Sequence, residues 1–263
     1  MPLPRPNENA SIDLHDRVVL ITGATGGLGK PLSLACAAAG ATVVLHGRVV
    51  SKLEALYDEI KQAGHAEPII LPLDLAKAGA DDFANVTSAL EAQLGRLDAV
   101  VHTAAMLGSL GPIEHQSFDS WLALLRVNVA APMGLTRATI RLLDASFDAV
   151  VVFTLDSRGQ EPRAYWGGYA VTKAAVAALA HELADEWEHR ARLRVNAVVP
   201  GPIRSPLRGQ THPGEDASTL PLPDALVPLY VHLIAGQAKA ESGLLIDAQA
   251  WLAGVPAVSS LRP

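Results

Sequence analysis

VVLITGATGGLG, residues Val18–Gly29, is an apolar β-branched run that breaks at once into glycines. A short run of this kind reads as a buried strand. The residues that follow suit a sharp turn from strand into helix. Gly23 permits the tight turn, Gly27 lets the backbone approach a pyrophosphate, and Gly29 permits close packing of helix on strand. Thr25, Gly26 and Leu28 complete the turn. A helix is predicted over Leu28–Gly40, and its N-terminus offers free N–H groups and partial positive charge to phosphates. In a chain with 21 glycines the same stretch can be a turn and nothing more. Its place in the first strand–helix unit favours nucleotide binding.

Outward from this unit the pattern repeats. ATVVLHG reads as a strand and SKLEALYDEIKQAG as an amphipathic helix ended by Gly64. Further strands are predicted at Pro68–Asp74, Ala99–Thr103, Ala149–Thr154, Leu193–Val199 and Gly243–Asp247, with helical patterns between most of them. Apolar strands separated by helices imply βαβ units and a parallel sheet covered on both faces. The expected fold is α/β: one doubly wound, Rossmann-type sheet of about seven strands in a single domain over residues 17–263. The proline-rich stretch before it, residues 1–16, reads as a flexible tail. The rhythm breaks at Pro200–Pro228, which carries seven prolines. A long irregular segment inside a domain is often a functional lid, so residues 200–228 are assigned to a substrate loop.

Composition narrows the function. The chain has 263 residues, 49% of them hydrophobic, and a net charge of −6 without a basic run. An electrostatic nucleic-acid binder is therefore not expected. The single Cys36 excludes an internal disulfide and a cysteine-cluster metal site. His46, His102 and His115 have no partner at metal-ligand spacing, so each reads as a satisfied polar residue and no metal is expected. No segment reaches about 18 uninterrupted apolar residues, so no membrane partner is expected. The cysteine usage and the absence of a signal-like apolar core point to the cytoplasm.

Chemistry enters with Tyr169 and Lys173 in GGYAVTKAAVAALAHEL. Residues i and i+4 share a helix face. A neighbouring cation favours the phenolate, which would bring proton exchange with a carbonyl or alcohol oxygen within reach near neutral pH. At the end of the second predicted strand stands His46-Gly47-Arg48, without the acid that would hold an NAD ribose. Arg48, with Lys52 a turn later, favours the 2′-phosphate of NADP, NAD remaining possible. The alternative is an ordinary exposed cation.

Taken together, TGATGGLG, Arg48, Asp74, Asn128, Tyr169/Lys173 and PGPIRS (Pro200–Ser205) resemble the short-chain dehydrogenase/reductase family, from about Asp16 to Gly254. Within it, the order LHGR, LDAVVHTAA, WGGYAVTK, LRVN and LIDAQ is most similar to YciK-type oxidoreductases. The resemblance implies strand order 3-2-1-4-5-6-7, a homodimer or homotetramer, and hydride transfer between a nicotinamide and a carbonyl or alcohol. It implies that Asp74 and Leu75 flank the adenine and that Thr103, Ala104 and Ala105 lie along the cofactor. Tyr169 would be the general acid in reduction. Lys173 would hold the nicotinamide ribose, and Asn128 a water that relays protons from Lys173. Pro200, Gly201 and Ile203 would meet the nicotinamide amide, and Ser205 replaces the usual Thr. Asn128 can instead be a satisfied core amide and Ser205 a loop cap.

One position departs from the family. Thirteen residues before its Tyr the family has a Ser that donates to the substrate oxygen; here VVFTLDSRG places Asp156 there and Ser157 one residue late. A carboxylate only accepts. At an assumed ~5 Å and an effective dielectric of ~20 it opposes a phenolate by about 3 kcal/mol, roughly two pKa units. Ser157 rotates into the role, Asp156 is held protonated as a donor, or the site binds cofactor without reducing an ordinary ketone. Ala105 also stands where the family has Gly, crowding the backbone. Tyr165 and Trp166 form an aromatic wall or pack at the helix entrance. The expected substrate is an uncharged, hydrophobic carbonyl or alcohol. The alternative is a catalytically weak or silent family member acting as a binding or regulatory module.

Overall fold

β-branched runs sit most favourably where both faces of a strand are covered, and that is how they are used. In the computed structural model, which describes residues 12–236 and 242–262, β1 (Val18–Thr22), β2 (Thr42–Gly47), β3 (Ile69–Pro72), β4 (Ala99–His102), β5 (Ala149–Thr154), β6 (Leu193–Val199) and β7 (Leu244–Asp247) form a parallel sheet. Its order is β3-β2-β1-β4-β5-β6-β7 with β8 (Val258–Ser260) added at the edge. β8 pairs antiparallel with β7 and is the one strand the sequence pattern did not predict. Three residues are too few to show alternation.

The two-residue period sorts side chains between two cores. Val19, Ile21, Val43 and Leu45 meet α1 (Gly29–Ala38), α2 (Val50–Gln62) and α9 (Val227–Ala235) through Leu32, Leu53, Leu56, Leu229 and Leu233. Leu20, Val44, Val100 and Val151 face α3 (Ala80–Leu94), α5 (Ala131–Asp144) and α7 (Gly167–Glu186) through Phe83, Leu90, Leu135, Leu142 and Val176. Between α3 and α5 comes α4 (Phe118–Leu125), joined to α5 by a π-helical turn over Arg126–Ala130.

Two expectations need correction. Leu14 is fully buried and its N–H donates to the Ala39 carbonyl at 2.8 Å, so the chain is already docked before Asp16. An apolar residue in a polar stretch found a core partner that the sequence could not reveal. Residues 1–11, the rest of the expected tail, lie outside the described residues. Second, residues 200–228 are not wholly irregular: α8 (Pro206–Thr211) and short 3-10 turns at Ala217–Thr219 and Pro223–Leu226 interrupt them, and α9 starts at Val227 with Pro228 in its first turn. Proline is tolerated there because first-turn N–H groups lack helical partners.

The strand order reverses beside β1, whose connections leave towards β2 on one side while β4 arrives on the other. A doubly wound sheet opens a crevice beyond its carboxyl edge at such a point. Thr22, the last residue of β1, lies in register with His46 and His102 at that edge.

Candidate active site

A cleft of about 850 Å3 opens at the reversal. It is lined by every sequence-predicted site residue except Gly29 and Asn128. Gly29 sits behind the turn, where a Cβ would collide with the Gly23 carbonyl; its absence lets α1 start against β1. Gly23 has φ +67°, and a Cβ on it would lie 3.0 Å from Ala104 Cα. The turns after β1 and β4 are therefore packed backbone to backbone. Thr22, unremarked in the sequence, fastens them: its Oγ1 accepts from the N–H groups of Thr103 and Ala104 at 3.1 and 3.2 Å. Among the described residues no side chain caps the N-terminus of α1, and its N-cap residue Leu28 lines the cleft.

At the β2 end, Arg48 and Lys52 are exposed on the cleft wall, with no carboxylate at ion-pair distance among the described residues. Asp74 and Leu75 form the adjoining wall, Asp74 Oδ1 accepting from the Ala76 N–H at 3.1 Å. His46 departs from the expected satisfied polar residue. Its Nδ1 accepts from the Gly23 N–H at 3.4 Å, while its buried Nε2 has no partner at hydrogen-bonding distance among the described residues. Burial lowers its pKa to about 4, with the carbonyls of His46 and Leu73 pulling weakly the other way. His102 does fit the expectation: Nε2 lies 2.9 Å from Thr136 Oγ1 and the ring stacks on Phe153.

At the far end, Tyr169 and Lys173 project from α7 and are both buried. Lys173 Nζ donates to the Thr154 carbonyl at 2.9 Å and lies 5.8 Å from the centre of the Tyr169 ring. Asp156 holds the phenol: Tyr169 Oη donates to Asp156 Oδ2 at 3.0 Å. The other carboxylate oxygen accepts from the Arg158 N–H at 2.8 Å and caps α6 (Ser157–Gln160). Ser157 is exposed at the start of that turn, and the carboxylate, not its hydroxyl, meets Tyr169. Burial and then Asp156 push the Tyr169 pKa well above the usual phenol range. The net effect is opposite to the lowering expected from Lys173, because burial first and the negative charge of Asp156 second disfavour the phenolate. Burial also lowers Lys173 to about 8, partly offset by Asp156.

Asn128 lies in the π-helical turn with its side chain already committed. Oδ1 accepts from the Met106 N–H and Nδ2 donates to the Met106 carbonyl, both at 2.8 Å, and Nδ2 also donates to Thr172 Oγ1 at 3.0 Å. Its amide ties the loop after β4 to α7 one residue before Lys173, which is the core-amide alternative. Ser205 likewise caps α8, accepting from the Arg208 N–H at 3.1 Å. It packs on the glycine turn, where a Cβ on Gly27 would lie 3.4 Å from Ser205 Cβ. Gln249, on α10 (Ala248–Ala253), was missed: Nε2 donates to the carbonyls of Pro200 and Pro202 at 2.7 and 3.3 Å and fixes the turn containing Gly201.

The lining of the cleft is more polar than the sequence suggests: Arg158, Arg208, Gln210 and Thr211 join Leu107, Trp166 and Leu207 in it. Trp166 forms the wall, its ring 5.9 Å from that of Tyr169, whereas Tyr165 is exposed and does not line the cleft.

Comparison with known proteins matches residues 17–216 to the family described as short chain dehydrogenase. The chain is 36% identical over 236 residues to the oxidoreductase YciK of Escherichia coli K12, covering 90% of this chain and 93% of that protein. A short chain dehydrogenase structure from Salmonella enterica superposes with TM-score 0.89 at 37% identity, over 92% of this chain and all of that one. One from Shigella flexneri, complexed with NADP, gives TM-score 0.87 at 34% identity, over 91% of this chain and all of that one.

Proposed function

Because the chain belongs to the short chain dehydrogenase family, we propose that it is an NADP(H)-dependent oxidoreductase acting on a carbonyl or alcohol with an apolar body, through an atypical proton site. The observation that carries this reading is one cleft with a phosphate cradle at one end and a Tyr–Lys pair at the other. Residues present fit the cofactor: the glycines leave room that a Cβ would fill, and among the described residues no side chain caps α1 and no carboxylate pairs with Arg48 or Lys52 beside the turn. Gly23–Leu28 and the N-terminus of α1 would hold the pyrophosphate, with Gly29 permitting that approach from behind. Arg48 with Lys52 would hold the 2′-phosphate, and Asp74 and Leu75 the adenine. Thr103–Ala105 and the turn Pro200–Ser205 would flank the nicotinamide half. When bound, the nicotinamide supplies or takes up hydride at the substrate carbon.

The chain's own part is to place and hold a proton. Tyr169 Oη carries the proton that the substrate oxygen receives in reduction, and Asp156 keeps it there until that oxygen takes the hydrogen bond over. Lys173, held by Thr154, brings the positive charge that offsets the phenolate formed. Asn128 positions this helix rather than touching substrate. The Tyr169–Asp156 bond also favours a second reading, a cofactor-binding protein with little turnover. Incubation with NADPH and a panel of aldehydes, ketones and quinones separates the two. Turnover lost in Tyr169→Phe supports the enzyme; NADPH binding without turnover, with activity gained in Asp156→Ser, supports the second.

Phe118, Leu122, Leu125, Met133 and Val171 are exposed on α4, α5 and α7 and support a homodimer or homotetramer, which sedimentation measures. No helix of the described residues is long and apolar enough to cross a membrane. The lone buried Cys36 supports a cytoplasmic protein, testable by cell fractionation.

A further inference from the structure

Arg158 is a cation of the cleft to which the proposed reaction assigns no role. It is half-buried and lines the same cleft as Tyr169 and Asp156. Its guanidinium carbon sits 5.0 Å over the Trp166 ring, and Trp166 in turn lies against Tyr169. Stacking pre-organises the planar fork, so less freedom is lost when it binds a ligand. Its backbone is pinned as well, through the N–H given to Asp156. Among the described residues no carboxylate lies at ion-pair distance from its guanidinium. The neighbouring Arg208 differs: both its Nε and one terminal nitrogen are taken by Glu215, at 2.5 and 2.6 Å. A guanidinium forks naturally onto a carboxylate or phosphate.

We propose that Arg158 binds an acid group, carboxylate or phosphate, carried by the substrate a few atoms from its reacting carbonyl or carbinol carbon. One indole separates the fork from the Tyr169 ring, so the acid and the reacting carbon belong to one small molecule. The substrate class becomes an oxo or hydroxy acid with an apolar body, instead of the uncharged compound that composition suggested. Arg158 is then a specificity residue. The proposal rests on the oxidoreductase reading for the identity of the reacting group, but not for the anion site itself.

The test pairs turnover with binding. NADPH oxidation is followed with benzoylpropionate against its methyl ester and with phenacyl phosphate against phenacyl alcohol, in wild type, Arg158→Ala and Arg158→Lys. A charge-assisted bidentate contact is worth about tenfold to a hundredfold in kcat/KM. Arg158→Ala should lose that factor on the preferred acid and leave its neutral partner within about twofold, with Arg158→Lys between. Whether the carboxylate or the phosphate member shows the larger loss identifies the acid. Calorimetry of both acids with the NADP-loaded protein provides the second arm, binding being lost in Arg158→Ala while NADP binding is unchanged. Equal preference for acid and neutral partners overturns the anion site and leaves the oxidoreductase standing. If no compound turns over, the oxidoreductase reading fails and calorimetry alone decides. Acid binding that depends on Arg158 sustains the site, and absent or Arg158-independent binding overturns it.

Discussion

Replacing Asp156 by asparagine should lower the Tyr169 pKa and speed carbonyl reduction near neutral pH. The carboxylate oxygen is 3.0 Å from the phenol oxygen. Two unit charges at that separation repel by about 5 kcal/mol at an effective dielectric of 20. Asp156 is only half-buried, and solvent screening reduces this to about 3 kcal/mol, or roughly two pKa units. Asparagine keeps the shape and removes the charge, so a phenolate absorbance titration should show a downward shift of about that size. The burial contribution to Tyr169 remains, so the pKa stays above that of a free phenol. In turnover the same repulsion opposes the developing phenolate, and kcat should rise about tenfold to a hundredfold. Asp156→Ser adds a hydroxyl that can donate to the substrate oxygen, a contact worth about a hundredfold where such donors have been removed elsewhere, and should rise further. An unchanged phenol titration in Asp156→Asn would refute the electrostatic reasoning, whatever happened to the rate.

Arg48→Ala should weaken NADPH about tenfold to a hundredfold and leave NADH within about twofold, by fluorescence titration, since only the 2′-phosphate contact is removed. Lys173→Met should abolish turnover yet stabilise the fold at neutral pH by about 3 kcal/mol, read as a melting temperature several degrees higher. The sign follows from linkage: burial lowers Lys173 from 10.5 to about 8, so the folded state disfavours the ammonium. That penalty is full below about pH 8 and relieved as pH rises towards 10.5. The wild type should gain on the variant over that window, and activity that needs the ammonium should decline above about pH 8.

Much of the framework was legible because its signals are local. β5 and β6 begin and end where the apolar runs do, and the glycine turn announces a strand–helix junction through residues that need a missing side chain. Tyr169 and Lys173 are legible from helical spacing, and Asp156 from the family resemblance. What stayed hidden depends on partners distant in sequence. Leu14 finds its core through Ala39, Thr22 acts only once β4 lies beside β1, and Gln249 reaches back to Pro200. The opposition of Asp156 to a Tyr169 phenolate is legible in the sequence; the burial of Tyr169, the larger cause of its raised pKa, is not. Arg158 carries no sequence signal of its own and is singled out only by Trp166 and the cleft.

The deciding measurement is NADPH oxidation by wild type and Tyr169→Phe on the best substrate of the carbonyl panel, alongside NADPH affinity for both proteins. Loss of at least a hundredfold in kcat with affinity unchanged is expected if Tyr169 holds the transferred proton, within the range of general acid catalysis. Equal turnover in Tyr169→Phe would contradict that role, and absence of turnover in a wild type that binds NADPH would contradict the enzyme.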